Sequence, residues 1–209
     1  RLFTSGRKYQ EHGWLKTTIY HLNLTIKQIV AARRCTKPAI AVFVKTPELS
    51  EVKTRLAKDS SREFARKFYE GYLSDLEKKL KRLSRRFDVY WAVAEEEGLR
   101  ASRWRSFSRV LQKGEGLGDR LSSVYSELFQ SHPIVFVVGA DCPTMGVEDF
   151  VGALRKLKKN DFVVGPATDG GFYLFASKKN LDQEFWNSIE YSSEKTCDQL
   201  VSRLEPLGA

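Results

Sequence analysis

The hydrophobic positions along this chain fall into two alternating patterns. Residues 39–45 read Ala-Ile-Ala-Val-Phe-Val-Lys, a continuous apolar run of strand length, as expected for a strand covered on both faces. Residues 87–94 predict a second strand, 109–112 a short third, and 133–138 the most hydrophobic of all; 161–164 and 171–176 predict two more. Between these runs the period lengthens. Phe64, Phe68, Tyr72, Leu76, Leu80 and Leu83 recur at spacings of three and four, which predicts one stripe of a long helix. Ser60 with Glu63 makes a capping box at its start. Residues 121–129, 148–159 and 194–204 predict further helices. Strands alternating with helices imply an α/β fold, a three-layer αβα sandwich around a mainly parallel mixed sheet. There is no internal repeat and no low-complexity tract.

Residues 1–37 break this pattern. Residues 1–13 read as a loose tail. Over 14–34, Ile19, Leu22, Ile26, Ile29 and Val30 recur at helical spacing among basic residues, which predicts a basic amphipathic helix. Such a helix packs on its own domain, or meets a membrane surface or a protein partner, or serves as a targeting segment. The expected division is a basic N-terminal extension, 1–37, and a nucleotide-binding domain, 38–209.

Composition changes this picture at three points. The 209 residues, 42% hydrophobic and 29% charged, describe an ordinary globular chain, large enough to bury roughly 70% of its unfolded surface. The net charge of +9 suggests nucleic acid, but its distribution argues against that. Residues 1–37 hold eight basic residues and one acid, whereas 38–209 hold 27 basic and 25 acidic residues. The body is nearly neutral, no nucleic-acid-binding motif accompanies the extension, and no nucleic-acid partner is expected. Cys35, Cys142 and Cys197 are odd in number and widely spaced, so neither a disulfide framework nor a zinc site is expected. With no apolar run near the about 18–20 residues that span a membrane, the expected location is the cytoplasm. His12, His21 and His132 match no ligand spacing and are expected to be structural. Nothing in the sequence names an oligomeric state.

Ligands of open α/β sheets bind outside the carboxyl ends of the strands. Four polar or glycine-rich segments are expected there: 45–55, 112–120, 139–144 and 165–171. The first supplies cations. Lys45, Lys53 and Arg55, with Thr46 and Pro47 between them, suit the oxygens of a polyphosphate, and a helix starting near Glu51 would add its N–H groups. The Walker pattern of glycines ending in Gly-Lys-Ser/Thr is absent. In the second segment Gly114, Gly116 and Gly118 allow close backbone approach, Gln112 could read a base edge, and Arg120 follows. In the third, Asp141 ends the most buried strand, where a carboxylate is costly unless paired or bound to metal. Asp169, before Gly170 and Gly171, is a second carboxylate, and magnesium is commonly held by one or two carboxylates plus phosphate oxygens. Each segment also reads as a surface turn.

Residues 41–47, 52–57, 112–121, 139–143 and 165–173 together resemble the small glycosyltransferase-A-like family of nucleotide-diphospho-sugar transferases. That family is similar to phospholactate guanylyltransferases and, more remotely, to molybdenum cofactor guanylyltransferase. The resemblance covers roughly 38–205, with five motifs in the family's order. It implies that Lys53 and Arg55 contact a triphosphate, that Gln112, Gly114 and Gly118 line a base pocket, that Asp141 ligates magnesium, and that Asp169 lies near metal and acceptor. Two positions depart from it. Ser50 stands where the family usually has Gly, and Tyr191-Ser192-Ser193 stands for the family's Trp-Ser-Thr, expected to bind the acceptor.

Three functions follow. The first is nucleotidyl transfer from a nucleoside triphosphate to a small phosphate or carboxylate acceptor, favoured by the Lys53–Arg55 cluster. The second is glycosyl transfer from a nucleotide sugar, for which Asp141-Cys142-Pro143 gives only half of the usual Asp-x-Asp. The third is a non-catalytic nucleotide-binding module.

Overall fold

The apolar runs pair into one six-stranded sheet. The computed structural model describes residues 35–208, apart from the side chain of Arg55. The expected helix over 14–34, and with it any membrane or partner contact, lies outside the described residues. The strands are β1 (Ala39–Val44), β2 (Asp88–Val93), β3 (Ser108–Leu111), β4 (Val135–Gly139), β5 (Phe162–Pro166) and β6 (Phe172–Ser177), in the order β3-β2-β1-β4-β6-β5. β1 runs parallel to β2 and β4, and β2 parallel to β3. β6 is antiparallel to both β4 and β5. Only β6 is reversed, so β1 to β5 all end at the same edge.

The helices are α1 (Thr54–Asp59), α2 (Arg62–Leu83), α3 (Leu117–Phe129), α4 (Val147–Lys156), α5 (Gln183–Asn187) and α6 (Thr196–Leu204). Alternate strand residues feed two cores, as the period of two requires. Ile40, Val42, Val44, Phe136 and Val138 pack with Leu73, Leu76 and Leu80 of α2 and Phe150 of α4. Ala39, Ala41, Val135 and Val137 pack with Val124 and Tyr125 of α3, Trp186 of α5 and Leu200 of α6. The expected three layers are present. The strand ends differ from expectation by a residue or two, as is usual at element boundaries. Among the described residues no helix is long and apolar enough to cross a membrane, and the three cysteines are unpaired.

Three local expectations are corrected. The cap of α2 is Ser61, whose hydroxyl accepts from the Phe64 amide, while Ser60 closes α1 and its hydroxyl donates to the Leu56 carbonyl. The buried stripe of α2 is rotated. It runs through Ala65, Tyr69, Tyr72, Leu73, Leu76, Leu80 and Leu83, leaving Phe64 and Phe68 exposed at 53% and 45%. The helix expected near Glu51 starts at Thr54 and is only six residues long, so it offers little helix dipole to an anion. α5 was not expected. Five residues are too few for a periodic signal, and a cap by Asp182 and the burial of Trp186 hold it.

Candidate functional site

The first loop leaves the sheet at Lys45. The Tyr69 hydroxyl accepts from the Lys45 amide at 3.1 Å and donates to the Lys45 carbonyl at 3.2 Å. The Thr46 amide donates to the Glu95 carboxylate at 2.9 Å, and its buried hydroxyl accepts from the Trp104 indole N–H at 3.1 Å. The Thr46 carbonyl takes the amides of Leu49 and Ser50, which turns the chain past half-buried Pro47. The amides of Lys45 and Thr46 are therefore spent within the protein, and what this loop offers a ligand is the exposed Lys45 side chain.

Lys53 ends the loop in a left-handed conformation, φ 50° and ψ 48°. Such a conformation costs a non-glycine residue about 1–2 kcal/mol. Burial lowers its pKa below the usual 10.5, while the charges of Asp141 and Cys142 pull it back up. Lys53, on the loop after β1, therefore feels the charge of Asp141, on the loop after β4. Arg55 follows within α1.

The second loop follows β3. Gln112 is buried, and its amide nitrogen donates to the carbonyls of Ala92 at 2.7 Å and Val44 at 3.2 Å, binding β1 to β2 at their ends. Those bonds use both N–H groups of the amide and fix its orientation. Gly114 has φ 107° and lies against Asp119. Asp119 accepts from Gln183 at 2.8 Å and Asn187 at 2.9 Å, and these bonds hold its carboxyl below the usual range. The Arg120 guanidinium reaches back to the Gly114 carbonyl at 3.2 Å. Gly118 sits inside α3, where a Cβ would crowd Asn187 and the Trp186 carbonyl. Packing of α3 on α5 explains that glycine.

The third loop follows β4. Asp141 is exposed, which corrects the expectation of a costly buried carboxylate. A Cβ at Gly139 would lie 2.6 Å from the Asp141 carboxylate, so the glycine lets that carboxylate fold back over the strand end. The Cys142 carbonyl accepts from the Tyr72 hydroxyl at 2.9 Å and from the Met145 amide at 3.1 Å.

The fourth loop joins β5 to β6. One oxygen of Asp169 accepts from the Gly171 amide at 3.2 Å, an Asx turn. Gly170 has φ 82°, and a Cβ there would run into the backbone of Glu194. Its carbonyl accepts from the Cys197 amide at 2.8 Å, which fastens this loop to the start of α6. Ser193 shapes that start: its hydroxyl accepts from the Lys195 amide and its carbonyl from the Thr196 amide. Ser192 is left-handed, with φ 61°. Among the described residues, Lys53 and Ser192 are the non-glycine positions with positive φ. Backbone held in such conformations concentrates at functional sites.

The topology brings all four segments to one edge, and the charge of Asp141 acts on Lys53 there. Neither Asp141 nor Asp169 belongs, among the described residues, to a group of three or more His, Cys, Asp or Glu side chains able to share an ion. A magnesium ion does not need such a group, since one or two carboxylates with phosphate oxygens and water suffice. Asp141 offers exposed carboxylate oxygens of the hard kind that magnesium takes. Sequence reasoning missed Tyr69, Glu95 and Asp119. The available signal for Tyr69 was a polar-tipped side chain on a helix face otherwise given to leucine. Glu95 and Asp119 gave none.

This three-layer sheet with one reversed strand is a fold shared with nucleotide-diphospho-sugar transferases. A protein from Desulfovibrio desulfuricans G20, provisionally described as a nucleotide-diphospho-sugar transferase, is similar in structure at a TM-score of 0.73 and 26% identity, over 82% of this chain and 77% of that one. A 4-diphosphocytidyl-2C-methyl-D-erythritol synthase from Anaerococcus prevotii DSM 20548 shares the fold at a TM-score of 0.51 and 11% identity, over 82% of each chain. Residues 74–193, more than half of the chain, match the family described as "Uncharacterized protein conserved in bacteria (DUF2064)". The chain belongs to that family. No curated protein matches it.

Proposed function

We propose that this chain is a nucleotidyltransferase, a magnesium-dependent enzyme that moves the nucleotidyl group of a nucleoside triphosphate to a small phosphate or carboxylate acceptor. The observation that carries this reading is left-handed Lys53 and exposed Asp141 on two loops at the same carboxyl edge of the sheet, Lys53 within the field of the Asp141 charge. An acceptor oxygen bonds to the α-phosphorus, the bond from that phosphorus to the bridging oxygen breaks, and pyrophosphate leaves. Such a reaction needs positioned reactants and neutralised charge more than covalent help.

Lys53 and Arg55 bind the triphosphate oxygens and oppose the negative charge that grows on them. Lys45 adds a third cation at the loop's start. The Gln112 carbonyl oxygen accepts from a base edge, beside the backbone of Gly114 and Gly118 and the guanidinium of Arg120. Asp141 and Asp169 would hold magnesium, and the ion, when bound, would neutralise phosphate charge. The acceptor lies against Asp169, Gly170 and Gly171 on one side and Ser192 and Ser193 on the other. Three unpaired cysteines suit a reducing, cytoplasmic setting.

A second reading, glycosyl transfer from a nucleotide sugar, is favoured by the provisional description of the Desulfovibrio protein. One experiment separates the two. A panel of nucleoside triphosphates and nucleotide sugars with magnesium is incubated with small phosphates and carboxylates, and released pyrophosphate and nucleoside diphosphate are both read. Pyrophosphate supports nucleotidyl transfer, diphosphate from a nucleotide sugar supports glycosyl transfer, and binding without either supports a non-catalytic module. In the active pair, Asp141→Asn is expected to abolish metal-dependent turnover. Its melting should shift by no more than an exposed substitution's about 0.5 kcal/mol. Unchanged turnover would remove the metal role.

A further inference from the structure

The two loops that carry Lys53 and Asp141 come from different strands, yet one turn of one helix touches both. Tyr69 and Tyr72 sit three residues apart on the buried face of α2, at 5% and 9% exposure. Phenylalanine would fill the same space. The hydroxyls are what distinguish these positions, and both are spent on loop backbone. Tyr69 takes the Lys45 amide and gives to the Lys45 carbonyl, at 3.1 and 3.2 Å. Tyr72 gives to the Cys142 carbonyl at 2.9 Å. Burial pushes the Tyr69 phenol up to about 12 and the Tyr72 phenol higher still, so both keep their protons and stay donors at neutral pH.

Two further side chains of the same helix repeat the pattern. Arg66 donates to Glu48 of the first loop at 2.7 Å, and Lys79 donates to the Met145 carbonyl of the third loop at 2.7 Å. Each loop is therefore tied to α2 twice. A helix is rigid and rises about 1.5 Å per residue, so points fixed to it keep their separation.

We infer that Tyr69 and Tyr72 are positioning residues that hold the phosphate-binding loop and the metal-binding loop in register. This inference rests on the reading of Lys53 and Asp141 given above. Tyr69 acts through the backbone of Lys45, at the root of the loop that ends in Lys53. Tyr72 acts through Cys142, the neighbour of Asp141.

The test uses the full chain as Tyr69→Phe and Tyr72→Phe, each of which removes one oxygen and no packing volume. Amide hydrogen exchange reads the loops, and titration with the four common nucleoside triphosphates, with and without magnesium, reads the site. Tyr69→Phe should speed exchange over 45–50 and weaken metal-free nucleotide binding about three- to tenfold, the worth of one ordinary hydrogen bond. Tyr72→Phe should speed exchange over 140–146 and raise the magnesium concentration at half-maximal nucleotide binding by about the same factor. Its metal-free affinity should not change. A merely global loss of stability would move both variants alike, in exchange everywhere and in both titrations, and that result overturns the inference. So does unchanged exchange in both loops. If the wild-type chain binds no triphosphate, the nucleotidyltransferase reading fails, and the exchange data still decide whether each tyrosine holds its loop.

Discussion

Lys53 bears two costs at one position. Its backbone is left-handed and its ammonium group is partly desolvated by burial. Replacing it with glycine should separate fold from function. Lys53→Gly relieves the about 1–2 kcal/mol of left-handed strain, offset by the about 0.5–1 kcal/mol of added chain freedom that glycine brings. Melting should therefore stay level or rise, while triphosphate affinity falls by a charged hydrogen bond's worth, about 10- to 150-fold. Thermal melting and nucleotide titration of one sample check both halves. The lowered pKa adds a pH prediction. Only the protonated amine binds phosphate, so affinity is full below the folded-state pKa and falls as pH rises through it, before the usual 10.5 is reached. Lys53→Arg should hold its affinity to higher pH, because a guanidinium stays charged. Stability moves the other way. Between the lowered value and 10.5 the unfolded chain binds more protons than the folded one, so stability rises with pH in that window.

At the scale of elements, the site depends on loops being fastened to helices rather than on the strands themselves. The β5–β6 loop shows this most sharply. Gly170 needs a positive φ and also lets the backbone of Glu194 approach, and its carbonyl takes the Cys197 amide at the start of α6. Gly170→Ala meets both obstacles. It should destabilise the fold by about 1–3 kcal/mol through overcrowding, and loosen the Ser192–Ser193 segment that we assign to the acceptor. Denaturant unfolding measures the first effect. An acceptor KM that rises while triphosphate affinity stays constant measures the second. The glycine-rich second loop is fastened in the same manner, with Asp119 gripping Gln183 and Asn187 of α5. That tie joins the proposed base pocket to an element about 65 residues further along the chain, an order-of-magnitude separation typical of non-local contacts.

For the molecule as a whole, the proposed boundary between extension and nucleotide-binding domain has a physical position. Lys37 and Pro38 belong with the sheet. The Lys37 carbonyl accepts from the buried His132 ring at 3.0 Å, and the Pro38 carbonyl accepts from the Asp88 amide at 2.9 Å. The other ring nitrogen of His132 lies 2.9 Å from the Tyr90 hydroxyl. We predict that residues 36–209 fold and bind nucleotide without the preceding segment. A chain beginning at Ala39 should be less stable, by the about 1–3 kcal/mol of a buried polar group left unmatched. Melting and nucleotide titration of both truncations check this, and an unfolded 36–209 would show that the extension belongs to the core.

Local pattern determined most of the elements and the placement of the candidate segments. Continuous apolar runs of strand length suit strands covered on both faces, and their alternation with helical stripes implies a layered α/β sheet. From that layering the placement of 45–55, 112–120, 139–144 and 165–171 at one edge followed, because parallel strands share an end. Tertiary structure decided what no single segment contains. The reversal of β6 depends on which edge of β4 is free to pair. Which edge of the α2 stripe is buried, and so whether Phe68 or Tyr69 met the core, was decided by how the helix packs on the sheet. Whether Asp141 was buried or exposed depended on the turn after Gly139. Tyr69, Tyr72, Glu95 and Asp119 owe their roles to hydrogen bonds across long sequence separations, and such bonds leave no periodic trace in the chain that makes them.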